Sequence, residues 1–164
     1  MMNKNVLLSF MLLCYIIPIL IVYYNSNSNK SVSNIICNDN CKSYILFFMF
    51  LMGIGTLLYE FERDDKYSQI SIIVLLIGLY VLICVNETYT IHYLFAFLVF
   101  TAILFFMIRQ CYLTDCNTVL LTSLVLEILT LFFIIININK NIYYGEIVYI
   151  LNFAFFYLYL HFIQ

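Results

Sequence analysis

An all-α bundle of six membrane-crossing helices is the fold this sequence predicts, and three observations predict it. Hydrophobic residues fill 65% of the 164 positions and charged ones only 10%, with a mean hydropathy of +1.03. A soluble domain is roughly a quarter charged, so this chain lacks the residues to cover a water-facing surface. The apolar residues gather into six runs, each near the length of about 20 residues that carries a helix across hydrocarbon. The runs are apolar on every side, whereas barrel strands alternate apolar with polar. Inside lipid the backbone must satisfy its own hydrogen bonds, so such runs are helices.

The first run is Val6 to Tyr24 and the second Ser43 to Tyr59. The third is Tyr67 to Val85 and the fourth Ile91 to Ile108. The fifth is Thr118 to Ile136 and the sixth Glu146 to Ile163. The second is short by a turn, which puts Tyr59 at the interface. Lys4 ahead of an apolar core gives the first run the look of a secretory signal. Its core is too long for one and no small-residue cleavage site follows, so an uncleaved helix kinked at Pro18 is expected. Between the runs lie a long Ser- and Asn-rich loop (25–42) and a charged loop (60–66). Three short connections follow, at 86–90, 109–117 and 137–145. The six spans form one domain, without internal repeat or soluble module.

Six spans place both ends of the chain on one side. Counting Lys and Arg in the loops favours a cytoplasmic placement of that side: Lys4, Arg63, Lys66 and Arg109 against Lys30, Lys42 and Lys140. The glycosylation sequons at Asn29 and Asn86 then fall outside, where they are usable.

Composition also excludes functions. A soluble enzyme, a nucleic-acid binder and a disordered tail do not fit, and a net charge of -2 offers no basic surface to phosphates. No G-x-S-x-G or H-E-x-x-H motif is present, and the two histidines sit at opposite faces, so no catalytic residue, cofactor or metal is assigned. Abundant Ile, Phe, Tyr and Asn, with only three Ala, point to an AT-rich genome, such as that of a large DNA virus, a protist or an organelle.

Three polar groups are the candidate sites. Glu127 lies in the middle of the fifth run, with Ser123 and Thr130 on the same helical face. Such a carboxyl is either a proton or cation relay, a lipid contact, or a protonated group hydrogen-bonded to a neighbouring helix. His92 and Glu146 open the fourth and sixth runs, which enter from the same side, so the two are expected at equal depth and in contact. With Asn152 deeper on the sixth run, they would line a cavity facing a lipid headgroup. His161, at the far end, reads as a solvated terminal residue.

Of the cysteines, Cys14 and Cys84 read as small buried hydrophobes. Cys37 and Cys41 flank three residues of the outer loop and are placed for a disulfide. Cys111 and Cys116 bracket an inner loop, where thiols stay reduced or take a palmitoyl chain. The two pairs face opposite sides, so they do not share a zinc ion.

The histidine segment Ile91-His92-Tyr93-Leu94-Phe95-Ala96 through Phe100 resembles the fourth span of a known six-span group. That group holds the damage-regulated autophagy modulators (DRAM) and the post-GPI-attachment remodelling proteins. Gly145-Glu146-Ile147 through Asn152-Phe153-Ala154-Phe155 is similar to that group's sixth span. Phe95 and Ile147 depart from the family pattern, which has Gly and an aromatic there. The resemblance implies an endomembrane protein concerned with lipid or GPI-anchor remodelling or with autophagy, partnered by membrane lipids. The alternative is a structural subunit of a virion membrane or an organellar complex, whose partners are other transmembrane helices.

Overall fold

The structure, a computed structural model, describes residues 4–24, 31–32, 35–36, 42–85, 88–137 and 142–163. Its long elements are six helices: α1 (Lys4–Tyr24), α2 (Lys42–Phe61), α3 (Lys66–Cys84), α4 (Thr90–Leu113), α5 (Thr118–Ile136) and α6 (Tyr143–Ile163). Each is long and apolar enough to cross a membrane. The protein is therefore a multi-pass, all-helical membrane protein.

Successive helices pack as antiparallel pairs: α1 on α2, α3 on α4, and α5 on α6. Small residues let two of these pairs come close. A Cβ on Gly78 would stand 2.6 Å from Val99 of α4, and one on Gly55 would stand 2.8 Å from Met11 of α1. The pairs join through α2 with α3 and α4 with α5, and α6 closes the bundle. Its Tyr157 stacks on Phe106 of α4 and its Ile150 carbonyl accepts a hydrogen bond from Tyr15 of α1. Phe106, Met107, Phe156 and Leu160 are fully buried in the main core. A second cluster, of Val22, Ile35, Ile36, Ile45, Ile83 and Tyr143, seals the opposite end.

Helix ends follow local chemistry. Asp65 caps α3 by accepting from the Ser68 amide, and Asn117 caps α5 by accepting from the Val119 amide. Within the spans, hydroxyls of Thr56, Ser71, Thr101 and Thr130 donate to carbonyls four residues back, so no lipid-facing polar group is required of them.

Several boundaries differ from the sequence reading. The second span is a full helix through Phe61, because Tyr59 and Glu60 are buried rather than interfacial. The fourth runs on through Arg109 to Leu113, because Arg109 and Gln110 find partners on α3. The sixth begins three residues earlier, at Tyr143, itself buried. The first begins two residues earlier, at Lys4, and contains Pro18. Cys84 is exposed on the outer surface of α3, whereas Cys14 is buried.

Candidate functional site

Among the described residues, polar side chains gather in two places. The first is the interface of α5 and α6, deep in the bundle. Asn152 donates one amide hydrogen to Glu127 Oε2 at 2.5 Å and the other to the Ser123 carbonyl at 2.9 Å. Its own oxygen accepts from Ser123 Oγ at 2.8 Å. Ser123, Glu127 and Asn152 are all buried, and Glu127 is wholly so. Thr130 shares the buried face, but its hydroxyl returns to the Leu126 carbonyl of its own helix. Glu127 Oε1 has no hydrogen-bond partner among the described residues. Each partner that Glu127 has is neutral. A carboxylate with no cation beside it is costly in a low-dielectric interior, so the amide of Asn152 is the group that meets it here.

Beside this centre, an open surface groove of about 620 Å³ runs along α5 and α6. Thr118, Thr122, Ser123 and Asn152 give it a polar edge, and Leu151 and Phe155 belong to its apolar walls.

The second gathering lies at the end of the bundle that carries both Lys4 and Ile163. There Glu60, fully buried, accepts a hydrogen bond from the Tyr157 hydroxyl and meets Arg63 Nη1 at 3.1 Å. The Arg63 guanidinium lies over the rings of Tyr59 and Tyr157, at 4.9 and 5.3 Å from their centroids. The Tyr59 hydroxyl is 2.5 Å from His161 Nδ1, and His161 Nε2 is 3.1 Å from Asn5 Oδ1. One α2 turn thus ties α1, α2 and α6 together. A neighbouring pair ties α3 to α4: Arg109 donates to Asp65 at 2.8 Å, and Gln110 donates to Ser68 at 2.6 Å. The Arg109 hydrogen bond, helped by Ser68, lowers the Asp65 carboxyl from its usual 3.8 to about 2.

Of the expected trio of His92, Glu146 and Asn152, each has a described partner elsewhere. His92 is buried with Nδ1 2.9 Å from the Val85 carbonyl, at the end of α3. Glu146 accepts from the Val32 amide at 2.6 Å, a contact that pins the first long loop to the start of α6. Each thus meets its own backbone segment, and Asn152 belongs with Ser123 and Glu127. His161, read as solvated, is instead bound to Tyr59. Cys37, Cys41, Asn29 and Asn86 lie outside the described residues.

The ionic end was not legible as a site. Glu60 and Arg63 fall in a charged run that reads as a solvated loop. The usable signal was spacing: Glu60 and Arg63 stand three apart at a helix end, and Tyr157 and His161 four apart on α6.

Fold and site together define a six-span membrane protein whose helices are joined by buried polar contacts. No family model, no curated protein and no solved structure matches the chain.

Proposed function

We propose that this protein handles lipid within its membrane, holding a lipid chain in the groove between α5 and α6. The groove carries the reading. It is roomy and its walls are almost wholly apolar, which suits an acyl chain, while the Thr122, Ser123 and Asn152 donors at its edge are satisfied within the protein. The resemblance of the fourth and sixth spans to the DRAM and GPI-remodelling group points the same way, to an endomembrane lipid role. In this reading the end with Lys4, Arg63, Lys66 and Arg109 faces the cytoplasm.

Native mass spectrometry of the chain released from a mild detergent tests the lipid role. Wild type retains a lipid. Leu151→Trp, which fills the groove, releases it, while Leu129→Trp, on an exposed part of α5 that does not line the groove, retains it. Retention by both variants, or by none of the three proteins, removes the groove from the account.

A second reading is a structural subunit of a larger membrane assembly. Its support is the role of the polar side chains, which join α5 to α6, α2 to α6 and α3 to α4. Stoichiometric co-purification of other membrane proteins, without lipid retention, favours it.

A further inference from the structure

The turn from α4 to α5 holds a second piece of chemistry. We infer that Cys111 and Cys116 form a redox-active dithiol that closes to an intramolecular disulfide across the end of α4. This site is separate from the lipid groove and does not depend on it.

The backbone sets the pair. The Cys116 amide donates to the Cys111 carbonyl at 2.8 Å, and the Thr114 amide donates to Gln110 at 3.1 Å. Asp115 and Cys116 both have positive φ, at 51° and 55°. This is the Schellman way of ending a helix, in which the sixth residue's amide returns to the first residue's carbonyl. The motif frequently carries a contact between the side chains of its first and sixth residues, and here both are cysteines. The hydrogen bond and the covalent bonds flanking it hold the two Cα atoms within about 7 Å, the outer limit for a disulfide without backbone movement. The two thiols also lie within electrostatic range of each other.

Burial gives the two sulfurs different tasks. Cys116 is exposed and Cys111 is buried. Cys116 is therefore the thiol that meets an oxidant from solution, and Cys111 the one that resolves the product. With a small-molecule disulfide as oxidant, the Cys116 thiolate attacks one sulfur and releases one thiol. The Cys111 thiolate then attacks the Cys116 sulfur, forms the protein disulfide and releases the second thiol. Two protein thiols lose two protons and two electrons, and one external disulfide becomes two thiols. The closed form fixes the 114–116 turn to α4, next to the Arg109–Asp65 pair.

The full chain in detergent, titrated with oxidised glutathione and then alkylated, tests this by peptide mass mapping. The expected result is loss of alkylation at Cys111 and Cys116 together, with a peptide that carries the 111–116 cross-link. In Cys116→Ser, an exposed and conservative change, Cys111 stays a free thiol under the same oxidant. Three results overturn the inference: Cys116 stopping at the glutathione adduct, Cys116 not reacting, or either cysteine pairing with another. A folded Cys116→Ser chain in which Cys111 still oxidises overturns the ordering of the two thiols.

Discussion

Glu127 and Glu60 are both wholly buried carboxyls on helices that cross the membrane, yet they are held in opposite ways. Glu127, deep between α5 and α6, meets the neutral amide of Asn152. Glu60, one residue from the end of α2, meets a cation, Arg63, and a tyrosine hydroxyl. Depth explains the difference. Near a helix end a guanidinium can be brought into the bundle and held there by a carboxylate and aromatic faces, as Arg63 is. At mid-span the same cation would be too costly, and the carboxyl there is met by a neutral amide instead. The two centres therefore differ in what stabilises them: dipoles at one, an ion pair at the other.

One substitution breaks the ionic end. Arg63→Ala leaves Glu60 buried beside tyrosines with its cation gone, and removal of one partner of a buried pair costs about 3–5 kcal/mol. Thermal unfolding in detergent should show that loss, and Glu60→Gln in the same background should recover part of it. A loss below about 1 kcal/mol would mean that the pair behaves like an exposed one.

Truncation at the neutral centre should cost a similar amount. Asn152→Leu strands the Glu127 carboxyl and the Ser123 hydroxyl at once, and each lost buried partner costs about 1–3 kcal/mol. Glu127→Gln keeps a hydrogen-bonding head of the same shape and should fold as wild type does. If Glu127→Gln unfolds the chain while Glu127→Asp does not, ionisation matters at that site and the contrast with Glu60 fails.

The smallest effect belongs to Asp65 and Arg109, a partly exposed pair. The folded chain holds Asp65 at about 2 against an ordinary 3.8, so its unfolded form binds a proton more readily. The pair's contribution is therefore complete above the ordinary value and drains away as pH falls from about 4 through about 2. Unfolding curves across that window should fall more steeply for wild type than for Asp65→Asn. Equal slopes would show that Arg109 does not favour the ionised form.

Much of this architecture is written in hydropathy, because a span needs only length and the absence of charge. Thr118–Ile136 is found at both ends by that rule alone. The rule fails where a charged residue belongs to a helix: it stops the fourth span at Ile108, although Arg109 continues α4 toward Asp65. Glu127 and Ser123 are legible as a buried face from their spacing. Their partner is not, since spacing along α5 says nothing of which α6 residue lies opposite. The sequence reading groups Asn152 with Glu146 of its own run and with His92, whose run enters from the same side. Depth alone cannot say which way a side chain turns, and α4 touches α6 far less than α5 does.

Infrared spectroscopy of the carboxyl groups tests the contrast between Glu127 and Glu60 most directly. At neutral pH the wild-type chain should show the C=O absorption of a protonated carboxylic acid. The account predicts that Glu127→Gln abolishes this band and that Glu60→Gln leaves it in place. A band that survives Glu127→Gln and vanishes in Glu60→Gln would contradict it, as would no such band at all in the wild-type chain.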